Sequence, residues 1–248
     1  MASEALHVLD VGDSERPTLV LLHALGMGGW MWQPHLTVLA THYHVLAPDL
    51  PGCAGSVAAG PFTMEKAATA LVHLLRARSH GPAHICGLSL GAMVALPLYQ
   101  HAPELVASLV LSGGQVHPNR FFMTLQEVIV RCMPERQLTE SLPGSFRRQY
   151  PELVEPALKA ARQTGKQNLL AATHAVSQSD LRSISVSITV PTLVLCGSKD
   201  RFNLSASRQM SRAIPGAELR IVPNVSHIWN LEQPQLFTNT VLEFVQRT

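Results

Sequence analysis

The sequence predicts an α/β fold, a mostly parallel central sheet flanked by helices and interrupted by a helical insertion, and three observations predict it. Short apolar runs alternate with helix-like stretches, the order that builds parallel strands through crossover helices. The runs are close to continuous, as in Thr18-Leu19-Val20-Leu21-Leu22 and Thr192-Leu193-Val194-Leu195-Cys196, which is how strands buried on both faces read. Residues 113–190 lack strand-like alternation, and their helix-like pieces are separated by Pro134, Pro143 and Gly165.

Residues 6–11 read as an added edge strand and 18–22 as the first buried one. A glycine-rich loop, His23-Ala24-Leu25-Gly26-Met27-Gly28-Gly29, follows. Residues 30–40 read as a helix, 44–47 as a strand and 64–78 as a helix. The apolar run Ala83-His84-Ile85-Cys86 leads into Gly87-Leu88-Ser89-Leu90-Gly91 and then a helix over 90–101. A strand over 106–112 precedes the insertion, whose helical pieces are 122–132, 152–164 and 168–178. Beyond it come a strand ending at Gly197, a helix over 203–214, a strand over 218–222 and a closing helix over 241–246. The division is therefore a core of 1–112 and 191–248 with a helical insertion of 113–190.

Gly-x-Ser-x-Gly by itself arises by chance in about one chain of this length in ten. Between a strand and a helix it means more, because a serine at such a turn is lifted from the sheet and small neighbours let strand and helix approach. A serine hydroxyl needs a base, and the base an acid to orient it. Asp200 follows the strand ending at Gly197, and His227 lies in the loop Pro223-Asn224-Val225-Ser226-His227 after the next strand. Ser89, Asp200 and His227 are the expected catalytic residues. The backbone amides of Leu25, in the glycine-rich loop, and Leu90, after the serine, are the expected oxyanion donors.

Competing residues read as structural. His23 serves the turn, Asp49 caps a turn after its strand, and His35 faces solvent from the helix over 30–40. No His pair has the spacing of a zinc protease, and Gly26, Gly28 and Gly29 do not complete a dinucleotide fingerprint, so neither metal nor cofactor is expected. Apolar residues beside the site, Leu25, Met27, Trp30, Leu88, Met93 and Ile228, suggest a pocket for an apolar acyl or alcohol group.

Together these stretches resemble the α/β-hydrolase superfamily over nearly the whole chain. The resemblance rests on Leu22-His23-Ala24-Leu25-Gly26, Ala47-Pro48-Asp49-Leu50-Pro51-Gly52, Gly87 to Gly91, Leu193 to Asp200, and Ser226-His227 with Asn230-Leu231-Glu232-Gln233-Pro234. The elbow and the closing Asn-Leu-Glu-Gln-Pro are most similar to bacterial enol-lactonases and small carboxylesterases of the pimeloyl-ester hydrolase type. The resemblance implies that the insertion, 113–190, is a helical cap over the site and that the chain is a serine hydrolase that cleaves a small-molecule ester or lactone. Ala24, Cys53, Ala54 and Ala92 depart from the family's usual His, Gly and second Gly positions without removing a catalytic atom. The same triad also serves C–C bond hydrolases, lyases and other cofactor-free reactions, and some members are small-molecule receptors with little turnover.

Apolar residues make up 46% and charged ones 15% of the 248 residues, ample for one large core. A net charge of +2 is too small to argue for nucleic acid or an anionic membrane as partner, and neither is expected. Neither a signal peptide nor a spanning segment is read, so a cytoplasmic monomer or homodimer is expected. Cys53, Cys86, Cys132 and Cys196 lack metal-ligand spacing and are expected to be free thiols. Basic residues outnumber acidic ones within 113–190, and one of Arg120, Arg147 or Arg148 could hold a carboxylate on the substrate.

Overall fold

The computed structural model describes residues 6–142 and 144–248. Seven strands, β1 (Val8–Val11), β2 (Thr18–Leu22), β3 (His44–Pro48), β4 (Ala83–Leu88), β5 (Val106–Ser112), β6 (Thr192–Gly197) and β7 (Glu218–Val222), form one sheet. Their order is β1-β3-β2-β4-β5-β6-β7. Only β1 runs antiparallel. The continuous apolar runs of β2, β3, β4 and β6 are buried throughout, whereas the two edges, β1 and β7, keep exposed residues. That contrast follows from helices covering both faces of the centre.

The helices are α1 (Gln33–Leu39), α2 (Met64–Arg78), α3 (Leu90–His101), α4 (Arg120–Cys132), α5 (Glu135–Glu140), α6 (Gly144–Gln149), α7 (Val154–Ser177), α8 (Arg182–Ser185), α9 (Leu204–Ala213), α10 (Trp229–Glu232) and α11 (Pro234–Val245). Leu71 and Leu75 of α2 and Val94 and Leu98 of α3 pack one sheet face with Ile85 and Leu109. Trp32, Trp229, Phe237 and Phe244 pack the other with Leu19 and Leu195. No described helix is long and apolar enough to cross a membrane. All four cysteines are free, and Cys132 alone is exposed.

Three elements differ from the sequence expectation. The helix expected over 30–40 begins as a 3-10 turn, Gly29–Trp32, before α1. The pieces expected over 152–164 and 168–178 share one helix, α7, kinked at Gly165 where φ is 63°. The closing helix starts at Pro234, well before 241, with the proline in its first turn, where a missing N–H costs nothing.

His35 corrects the reading that placed it toward solvent: it is fully buried. It shares a helix face with buried Leu39, one turn on, and that face packs on α11. Thr238 Oγ1 gives its proton to Pro234 O at 2.9 Å and accepts from His35 Nδ1–H at 2.8 Å. Burial pushes the imidazole down to about 4.

Between β5 and β6 all regular structure among the described residues is helical. The insertion reaches the glycine-rich loop, since a Cβ on Gly26 would lie 3.4 Å from Leu169 of α7. Helix α4 turns Phe121, Phe122, Leu125, Val128 and Ile129 to the surface and buries Val130.

Candidate active site

Ser89 joins β4 to α3 with φ 56° and ψ −109°, and its N–H donates to Ser112 O at 2.7 Å. A side chain at such a positive φ costs about 1 to 3 kcal/mol, which the surroundings must hold in place. The flanking glycines show how. A Cβ on Gly87 would stand 2.3 Å from the Gly91 carbonyl carbon, and one on Gly91 would stand 2.1 Å from Leu22 O. Strand, turn and helix therefore meet at distances only hydrogen permits, and the strained turn sits at the C-terminal edge of the sheet.

His227 donates its Nδ1–H to Asp200 Oδ2 at 2.7 Å. The Asp200 side chain is 4% exposed and that of His227 32%. Burial pushes the Asp200 carboxyl up, but the His227 hydrogen bond and charge, with donors from Asn203, outweigh it and hold the group below its ordinary value. With Nδ1 spent on the acid, Nε2 is the nitrogen left for a hydroxyl. Ser89 Oγ has no hydrogen bond among the described residues; such bonds commonly close only when substrate binds.

The loop after β2 turns at Ala24, whose carbonyl accepts from Met27 N at 3.1 Å, with Gly26 at φ 73°. The Leu25 N–H is left without an acceptor among the described residues, as is that of Leu90 at the N-terminus of α3. His23 is wholly buried beneath this loop, bonded to Ala24 O and Leu50 N–H. Asp49 is consumed by the same region, accepting from Gly29 N at 2.7 Å, Gly55 N at 2.9 Å and His7 Nδ1 at 2.9 Å.

The apolar residues expected as a pocket divide in two. Leu25, Met27 and Ile228 keep half-buried surface, whereas Leu88 and Met93 are enclosed in the core and Trp30 is buried but reaches a cleft elsewhere. Trp30 stacks edge-on against Phe146 of α6 and lines a cleft of about 360 Å³ with His7, Asp49, Glu155 and Lys159, toward the β1 edge. Arg120, Arg147 and Arg148 are all at the surface, with Arg147 donating to Glu140 O.

Several residues that hold the site have no local sequence signature. Gly113, at φ 62° after β5, faces the His227 ring; a Cβ there would lie 2.9 Å from His227 Cε1 and 3.0 Å from Nδ1. Trp229 Nε1 donates to Ser112 Oγ at 2.9 Å, and Glu232 accepts from Ser226 N at 2.9 Å and from Ser226 Oγ. The loop bearing His227 is thereby tied to the strand end that receives the Ser89 amide.

Comparison with known proteins agrees with this architecture. RutD of Serratia proteamaculans (strain 568), provisionally named a carbamate hydrolase, is 28% identical over 245 residues, covering 94% of this chain and 92% of its own. The 3-oxoadipate enol-lactonase 2 of Acinetobacter baylyi is 27% identical over 251 residues, covering 98% and 94%. The crystal structure of the enol-lactonase from Burkholderia xenovorans LB400 superposes with a TM-score of 0.84 at 25% identity, over 97% of this chain and 96% of that one. With a family model matching residues 19–240, the chain belongs to the alpha/beta hydrolase family.

Proposed function

We propose that the protein hydrolyses a small-molecule carboxylic ester or lactone through an acyl-enzyme on Ser89. The observation that carries this is a strained serine on the turn after β4, with a His227–Asp200 pair joined at 2.7 Å on the loops after β7 and β6. His227 Nε2 takes the Ser89 proton as Oγ attacks the carbonyl, and Asp200 holds the ring and stabilises the imidazolium. The free amides of Leu25 and Leu90 receive the charge that develops on the carbonyl oxygen. His227 returns the proton to the leaving alcohol or enol, and a water repeats the sequence on the acyl-enzyme.

Relatives named as enol-lactonases support the lactone side of this reading, and the name carbamate hydrolase given to others adds a carbamate to the substrates worth testing. Residues 113–190 act as a cap in this scheme, binding the part of the substrate remote from the bond that breaks. The test is a panel of p-nitrophenyl esters of graded chain length, simple lactones and a carbamate, run on the wild type and on Ser89→Ala. Hydrolysis of an ester or lactone that Ser89→Ala loses by ~10^4-fold or more supports the proposal. Activity retained in Ser89→Ala, with an unchanged melt, overturns it.

A further inference from the structure

Asn203 precedes α9 at the position where asparagine ordinarily caps a helix by accepting from its first N–H groups. Its side chain makes no such cap. It is 7% exposed and turned the other way, with Nδ2 donating to Asp200 Oδ1 at 2.9 Å and Oδ2 at 3.0 Å. A carboxylate can only accept, so the amino end of the amide must face it and the carbonyl end must face away. That carbonyl accepts from Gln115 Nε2 at 2.7 Å. Gln115 lies just beyond Gly113 at the root of the insertion, and the next residue, Val116, accepts from Leu181 N at 2.8 Å, joining the insertion's two ends. A chain of directed hydrogen bonds thus runs from the insertion's root through Asn203 to the acid.

We propose that Asn203 is a positioning residue for Asp200 and that Gln115 fixes the direction of the Asn203 amide, so that the placement of the insertion is felt at His227. The proposal rests on the reading of Ser89, His227 and Asp200 as a triad. The bonds from the single Asn203 Nδ2 to both oxygens hold the carboxylate in the orientation in which Oδ2 meets the ring, and the same nitrogen lies 3.1 Å from His227 Nδ1. Without them the carboxylate can rotate, and with a reversed amide it would meet another oxygen.

The experiment compares wild type with Asn203→Leu, Gln115→Leu and Gln115→Glu by p-nitrophenyl butyrate kinetics, labelling of Ser89 by a fluorophosphonate, thermal melting, and the downfield NMR resonance of the His227 Nδ1 proton. In Asn203→Leu, kcat falls by about 10^2-fold, the loss expected of a misplaced catalytic group, while KM holds and the proton resonance moves or broadens. Gln115→Glu, which sets an acceptor against the Asn203 carbonyl, loses more than Gln115→Leu. Unchanged kcat and an unmoved resonance in Asn203→Leu overturn the proposal. If Asn203→Leu does not fold, the Gln115 pair decides: wild-type kcat in both overturns it, and the ordered loss supports it. A wild type that the fluorophosphonate does not label overturns the triad reading, and the proposal with it.

Discussion

The backbone N–H of Leu50 donates to Nε2 of His23 at 2.9 Å, while Nδ1 of the same ring meets Ala24 O at the same distance. An amide nitrogen can only donate and a carbonyl can only accept, so Nδ1 carries the ring's one proton and the imidazole is neutral. Burial pushes His23 below its ordinary value, against the opposing pull of Ala24 O and Asp49. The ring therefore pins the loop carrying Leu25 to the end of β3. His23→Ala is expected to slow fluorophosphonate labelling of Ser89 by roughly 10- to 10^2-fold through a displaced oxyanion donor, without abolishing it. His227→Ala should not be labelled at all. Mass spectrometry of the labelled peptide separates the two.

Buried histidines make stability depend on pH. His35 is held at about 4 and His23 and His84 are also lowered, each first by burial. Below the ordinary value of 6.5 the unfolded chain takes up protons that the folded one refuses. Stability is thus complete above that value and falls as pH drops toward 4, by up to about 1.4 kcal/mol per pH unit for each fully buried histidine. Urea unfolding at pH 7.5 and 5.0 is expected to show lower stability at pH 5.0, and His35→Leu a smaller difference between the two.

The strained turn at Ser89, φ 56°, sets activity against stability. Ser89→Ala and Ser89→Gly both lose hydrolysis, but glycine releases about 1 to 3 kcal/mol of backbone strain against roughly 0.5 to 1 kcal/mol of added chain entropy. Ser89→Gly is expected to unfold at a higher urea concentration than Ser89→Ala.

Gly113→Ala places a methyl group 2.9 Å from His227 Cε1 at a positive φ. The His227 ring must give way, and if it is the base, kcat for p-nitrophenyl butyrate is expected to fall about 10^2-fold. Circular dichroism should show the fold retained.

Elements defined by unbroken apolar runs were legible from the chain alone. β5 and α3 have the bounds their residues suggest. Asp200 and His227 could be placed on loops after successive strands because strand ends are local features, and the structure brings their side chains to 2.7 Å. What was not legible depends on contacts between distant segments. Gln115 meets Asn203 across 88 positions and Trp229 meets Ser112 across 117, with nothing in either neighbourhood to announce the partner. The burial of His35 is hidden from the sequence for the same reason: its partner Thr238 lies 203 positions away, on a helix that begins at Pro234 rather than near 241.

The strand order also fixes when the site can come into being. β1 to β5 pair among themselves, and β6 and β7 add in sequence to the open side of β5. A ribosome releases the chain from its N-terminus, so a five-stranded sheet bearing Ser89 can assemble before Asp200 and His227 have been synthesised. Until β6 arrives, such a sheet leaves the edge of β5 open to unwanted pairing. Docking of β6 covers that edge and docking of β7 completes the sheet, and the loops after them bring in Asp200 and His227, so that on the triad reading Ser89 gains its partners only when the sheet is whole.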